Sequence, residues 1–393
     1  MHSMLKLPNL GEAAASHSQK LEKHIKQHLK ENHNYLSFAA FMELALYAPG
    51  LGYYSAGSQK FGQAGDFVTA AEISPLFSHC LGRYWQQLLV EFQQADILEV
   101  GGGSGRMCCD LLKFLEHSKA LPQRYFILDL SADLKARQRE LLARECPGLL
   151  PRVQWIDKFP QSFKGLILAN ELLDAMPVQC FSWQAAKLME WGVSLSEGQL
   201  QWQLKQPSLS LAQAIDELPA SLKEAWHQGY RSEINLNLKP WLGSLSQILH
   251  QGVVLLIDYG FNETEYYHPD RQGGTLMCHY RHHAHGDPFF LPGLQDITSH
   301  VNFSAVAKAA RELDLELLGY TTQADFLLGL GLAEAFSEVQ QATCSDFKLS
   351  NQINLLTSPA EMGELFKVMA LGRGVSLPLP SFLANSGRHM MRL

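Results

Sequence analysis

ILEVGGGSGRMCCDLL, residues Ile97 to Leu112, decides how this chain is read. A short apolar run from Asp96 to Val100 predicts a buried strand, and Met107 to Glu116 resumes with apolar residues at helical spacing. Between them Gly101, Gly103 and Gly105 form a turn, because the chain must bend sharply and let a ligand approach backbone with no Cβ in the way. Such a unit is either an ordinary tight connection or the start of a nucleotide-type site. The dinucleotide fingerprint G-x-G-x-x-G would require glycine at position 106, where this chain has Arg106. The pattern is E-x-G-x-G-x-G instead. An acid at Glu99, just before the glycines, suits an ammonium group better than a pyrophosphate, which prefers a bare helix N-terminus.

Outward from this stretch, further apolar runs at Tyr125 to Leu130, Val153 to Ile156, Gly165 to Ala169 and Gly252 to Asp258 alternate with amphipathic segments such as Ala132 to Glu145. Strands alternating with helices predict an α/β fold with a parallel sheet covered on both faces. The gap between the fourth and fifth runs exceeds what one crossover helix needs, so a lobe is inserted at about Cys180 to Lys239. Its FSWQAAKLMEWGVSLSEGQLQWQLK predicts an antiparallel meander and its ELPASLKEAWHQ a helix. Before the core, Ser18 to Tyr47 has helical periodicity and ends at Pro49-Gly50. A Gly-punctuated, aromatic-dotted loop runs on from there to Phe77, suited to lie over a ligand. After Asp258 come a loop rich in His, Tyr and Pro, a helix over Ser304 to Leu313, a helical region from Phe326 to Leu349 and a closing strand from Phe366 to Leu371. The expected division is 1–94, 95–179, 180–250 and 251–393: extension with covering loop, first core part, inserted substrate lobe, second core part.

The acid before the glycines favours S-adenosylmethionine, which carries an ammonium and no phosphate, over NAD. Asp129 in YFILDLS ends the second strand, one βαβ step later, where an acid can hold a ribose. GLILANELLDAMPV opens Asn170, Glu171 and Asp174 at the end of the fourth strand, the edge where open α/β sheets bind ligands. If the acceptor is a guanidinium, two carboxylates there can grip its fork and orient one nitrogen for in-line attack. The alternative is a helix N-terminus with its acids near the positive end of the dipole. His300, close in sequence to Asp296, reads as part of an acceptor pocket or as a structural hydrogen-bonding unit. Which group takes the proton released by methyl transfer stays open. Asp258 either lines the same pocket or caps backbone. Five histidines (His279, His282, His283, His285, His300) cluster without a cysteine pair or H-E-x-x-H, so no metal is expected.

Composition limits the partners. The 393 residues are 46% hydrophobic and 18% charged with formal net charge −7. No basic block suits a phosphate backbone, so no nucleic acid is expected, and no low-charge run is long enough for a membrane span. Seven scattered cysteines (Cys80, Cys108, Cys109, Cys146, Cys180, Cys278, Cys344) suggest buried thiols in a reducing compartment. The N-terminal stretch has no apolar signal core and contains acids, which makes the cytoplasm the expected location.

GDFVTAAEISPLF (65–77), LEVGGGSG (98–105), ANELLDAMPV (169–178), LIDYGF (256–261) and LPGLQDITSHVNF (291–303) together resemble the MidA family, in order, over about residues 18–372. These are S-adenosylmethionine-dependent methyltransferases whose mitochondrial members assist respiratory complex I assembly by symmetric dimethylation of an arginine. The resemblance implies a class I methyltransferase, a Rossmann-like seven-strand sheet with an N-terminal helical extension and an inserted substrate lobe. It implies cofactor contacts from Gly65, Asp66, Phe67, Val68 and Thr69, from Glu99, Gly101, Gly103 and Gly105, and from Asp129, with Asp157 in WIDKFP at the adenine. It also implies acceptor handling at Asn170 and Glu171. The expected function is methylation of an arginine on a protein partner, such as a subunit of a respiratory NADH dehydrogenase. Methylation of a small molecule and a chaperone-like assembly role with a structural cofactor stay as alternatives, and the oligomeric state is left open.

Overall fold

The computed structural model describes residues 11–56, 69–92, 94–185, 187–343, 346–375 and 389–393. The apolar runs become one sheet whose seven main strands are β1 Asp96–Val100, β2 Tyr125–Leu128, β3 Val153–Ile156, β4 Phe163–Asn170, β5 Leu249–Phe261, β6 Glu316–Thr322 and β7 Phe366–Arg373. Their order is β6-β7-β5-β4-β1-β2-β3, and a two-residue strand, Val301–Asn302, lies parallel to the end of β5. β3, β2, β1, β4 and β5 are parallel neighbours, while β7 runs against both β5 and β6. Every residue of β1 is buried, as expected of a parallel strand covered on both faces. Helices Pro75–Leu88, Arg106–His117 and Ala132–Glu145 pack in sequence, and helices Leu238–Ile248 and Phe303–Glu312 pack on each other and on β5. Asn170 pairs with Ile257 across β4 and β5, so Asp258 stands one residue beyond Asn170 at the carboxyl end of the sheet.

The chain divides into two compact units. The sheet unit is drawn from Val68–Asp174, Leu238–Glu265 and His300–Leu393, the other from Met1–Phe67, Ala175–Asn237 and Tyr266–Ser299. In the second unit, helices Glu12–Glu31 and Phe38–Tyr47 accompany a five-stranded antiparallel sheet, made of Leu36–Ser37, Gln179–Gln184, Lys187–Ser196, Gln199–Lys205 and Tyr230–Ile234. A three-stranded sheet of Met277–Tyr280, His283–His285 and Asp296–Thr298 completes it. The physical reason for this grouping is a shared core: Leu21, Ile25, Phe38 and Phe41 bury against Val178, Val193, Cys278 and Ile297. These units do not follow the boundaries expected at 94/95, 179/180 and 250/251, because apolar contacts join segments far apart in sequence.

Several local expectations are corrected. The helical stretch to Tyr47 breaks after Glu31, where His33 and Asn34 take left-handed φ of 55° and 61°. Ser37 Oγ then accepts the Ala40 N–H at 3.2 Å and starts the next helix. The His-rich stretch is not all loop, since Cys278, Tyr280 and Ile297 bury on alternate strand positions. In ELPASLKEAWHQ only Ala220–Ala225 is helical, and Ser208 caps a helix over Leu209–Asp216 that the reading by apolar runs passes over. Strands β6 and Tyr230–Ile234 and helix Pro75–Leu88, started by Ser74 and Pro75, are likewise additions.

Candidate cofactor and acceptor site

The glycine turn is a left-handed device. Gly101, Gly103 and Gly105 hold φ of 78°, 53° and 84°, which side chains with a Cβ adopt only under strain. Gly101 N–H donates to Leu128 O on β2 at 2.9 Å, and Gly105 O accepts the Cys109 N–H at 3.0 Å to start the helix. Gln138, fully buried, ties the turn to the end of β2. Its Nε2 donates to Gly103 O and to Asp129 Oδ2, each at 3.0 Å, and its Oε1 accepts Trp155 Nε1–H at 2.8 Å. Asp129 Oδ1 accepts the Ser131 N–H at 2.9 Å. The turn and the strand-end acid are therefore one hydrogen-bonded assembly.

Glu99 is buried under the turn, and its Oε2 accepts the Tyr125 hydroxyl at 2.7 Å. Burial pushes its pKa up to about 8, with the Tyr125 bond opposing and Asp129 adding to the rise. Arg106, whose presence removed the dinucleotide fingerprint, reaches instead to Glu145 at 2.7 and 2.8 Å and to Asp110 at 3.2 Å. Glu145 is held well below the usual carboxylate range by Arg106, with Lys113 assisting. Cys109, Asp110 and Glu145 lie close enough to share an ion, but Arg106 and Lys113 supply the cations there. Asp157 is exposed and pairs with Lys135. Thr69 precedes the short helix Ala70–Ile73, while Gly65, Asp66, Phe67 and Val68 lie outside the described residues.

At the carboxyl ends of β4 and β5 the second acidic motif is gathered by Asp258. Its Oδ2 accepts the N–H groups of Leu172, Leu173 and Asp174 at 3.1, 2.9 and 3.3 Å, and its Oδ1 accepts that of Tyr259 at 2.9 Å. Of the two readings offered for Asp258, the structure realises the cap. Burial, with Asp174 and Glu171 adding their charge, pushes Asp258 above the usual carboxylate range, and its backbone donors oppose this. Glu171 takes a left-handed φ of 50°, and its Oε1 accepts Asn170 Nδ2–H at 3.1 Å and the Ala70 N–H at 3.4 Å. Asn170 Oδ1 is buried without a hydrogen-bond partner among the described residues. Asp174 is buried beside Asp258. His300 immediately precedes the short strand Val301–Asn302 beside β5, with its ring 5.1 Å from Tyr259 and 5.0 Å from Phe261. Asp296 belongs to the other unit, where Tyr54 Oη donates to its Oδ2 at 2.8 Å.

A family model for S-adenosyl-L-methionine-dependent methyltransferases matches residues 77–321. The chain belongs to this methyltransferase family. The solved structure of a candidate methyl transferase from Burkholderia thailandensis bound to S-adenosyl-homocysteine superposes with a TM-score of 0.91 at 40% identity, covering 96% of this chain and 98% of that one. Among curated relatives, the Drosophila melanogaster "Protein arginine methyltransferase NDUFAF7 homolog, mitochondrial" is 26% identical over 86% of this chain and 81% of its own length. The Danio rerio "Protein arginine methyltransferase NDUFAF7, mitochondrial" is 25% identical over 86% and 83%.

The residues of this methyltransferase fit S-adenosylmethionine. Three left-handed glycines expose backbone, acids line both sides of the turn, and Asn170 Oδ1 is a buried acceptor that lacks a donor. Arg106 is committed to Asp110 on its own helix and to Glu145 on the next, and offers nothing to a pyrophosphate. Sequence reasoning passed over Glu72, whose carboxylate accepts the Ser104 hydroxyl of the turn, and Gln138. Glu72 lies within the quoted GDFVTAAEISPLF, where Thr69 stands at the N-cap position of the short helix that carries it and is the signal that could have placed it there. Gln138 carries no such signal.

Proposed function

We propose that this methyltransferase modifies an arginine side chain of a protein partner, with Asn170, Glu171 and Asp174 holding the guanidinium. The supporting observation is the acid-rich end of β4 and β5, where a backbone capped by Asp258 fixes Glu171 in a left-handed conformation. A guanidinium is a permanent cation with a planar fork of donors, and carboxylates set at fixed positions grip and orient it. The names of the curated relatives, at about 25% identity, support arginine as the acceptor. The MidA resemblance extends this to a subunit of a respiratory NADH-dehydrogenase-like assembly. In this reading Thr69, Glu99, Gly101, Gly103, Gly105 and Asp129 hold the cofactor, together with Gly65, Asp66 and Phe67, and Asp157 lies on the adenine side.

Bound S-adenosylmethionine supplies an electrophilic methyl on its sulfonium. The chain's own residues contribute position: they hold one guanidinium nitrogen in line, exclude water and leave a carboxylate or imidazole to take the proton that nitrogen sheds. Glu171 and Asp174 are the carboxylates for this, with His300 as the imidazole.

The test is capture of partners by the full chain, followed by mass-spectrometric mapping of methyl groups with and without S-adenosylmethionine. Methyl-arginine on a captured protein, lost with Glu171→Gln, is the expected result. Methyl groups on a small molecule or on another side chain overturn it. Partner assembly that survives loss of cofactor binding favours the chaperone-like alternative.

A further inference from the structure

We infer that Glu72 receives the α-ammonium group of the cofactor. The sequence offers Glu99 for this task, but Glu99 is 2% exposed and already engaged by the Tyr125 hydroxyl below the turn. Glu72 reaches the turn from the short helix Ala70–Ile73. Its carboxylate accepts from Ser104 Oγ, and Ser104 stands between the left-handed Gly103 and Gly105. The same Ser104 oxygen accepts the Arg106 N–H at 3.2 Å, so the serine is fixed by the first turn of the following helix. Glu72 is half-buried and has no cation partner among the described residues. A carboxylate held against a glycine turn and, among the described residues, without a cation partner suits an ammonium group, and burying part of that pair strengthens the attraction.

The location also links the two halves of the site. Ala70 N–H donates to Glu171 Oε1 at 3.4 Å, and Glu72 sits two residues later on the same short helix. A cofactor ammonium on Glu72 fixes the segment whose backbone holds Glu171. Glu72 is thus both a cofactor ligand and a positioning residue for the acceptor motif.

Calorimetry on the full chain separates this role from a structural one. S-adenosylhomocysteine carries the ammonium, whereas 5′-methylthioadenosine lacks the amino-acid portion altogether. Glu72→Gln is expected to weaken S-adenosylhomocysteine by about tenfold to a hundredfold, the range of a charge-assisted hydrogen bond. It should leave 5′-methylthioadenosine affinity unchanged, which also reports an intact fold. Ser104→Ala is expected to show the same ligand selectivity with a smaller loss. Equal losses for both ligands, an unaltered S-adenosylhomocysteine affinity, or an ammonium-selective loss in Glu99→Gln instead of Glu72→Gln each overturn the inference. The outcome is independent of whether the acceptor is an arginine.

Discussion

Glu99 carries a pH signature of its own. Its folded pKa of about 8 lies above that of an exposed glutamate, so the folded state holds a proton that the unfolded state releases. The stability from that protonated form is complete below the unfolded pKa and is lost as pH rises through about 8. Across that window the loss amounts to at most about 1.4 kcal/mol per pH unit. Glu99→Gln, which keeps the shape without the charge, is expected to flatten the fall of melting temperature between pH 5 and 8.5 and to melt above the parent at the upper end. A parallel pair of melting curves across that range would count against it. At this scale the sequence was informative about residue type and less so about direction. The acid at 99 and the glycines were plain from spacing, but spacing could not say that Glu99 faces Tyr125 or that Arg106 turns to Glu145. Those contacts depend on which neighbours long-range packing supplies.

The turn 171–174 behaves as an element in its own right, built on one carboxylate instead of on helix or strand periodicity. Asp258 accepts three of its N–H groups, and replacing one oxygen by an amide leaves donors facing donors. Asp258→Asn is expected to lower stability by about 1–3 kcal/mol. It should also cut methyl transfer while S-adenosylhomocysteine affinity stays near the parent value. Chemical denaturation and calorimetry on one preparation read both, and a loss confined to cofactor affinity would contradict this assignment. The parallel strands were the legible ones: β1 and β3 match their apolar runs residue for residue, and β4 and β5 contain theirs. Antiparallel strands were not: in Tyr230–Ile234 the polar Ser232 and Glu233 are themselves buried, and in the His-rich strands polar and apolar residues mix, so no apolar run marks either. Asn170 and Glu171 were readable at a strand end, whereas the cap that aims them comes from a residue 84 to 86 positions away.

In the whole molecule, the alternation of strand and helix located the sheet, and the long gap located the insert. What it could not show is that the N-terminal helices, the insert and Tyr266–Ser299 share one core, because no local pattern records which distant segments meet. The strand order is similarly hidden in its last step, where β7 inserts between β5 and β6. Among the described residues β6 pairs with β7 alone, and β5 is covered on that side by the same strand. A chain cut before Phe366 is expected to expose both edges and to aggregate or be digested rapidly by protease. Survival of a compact, cofactor-binding fragment would argue otherwise. The same topology gives the molecule a clock. On the ribosome, β1 through β5 can begin to pair while β6 emerges with no neighbour to join. The sheet closes only once β7, the last of its strands in sequence, has been synthesised, so until then the growing chain is expected to carry an open edge at β5.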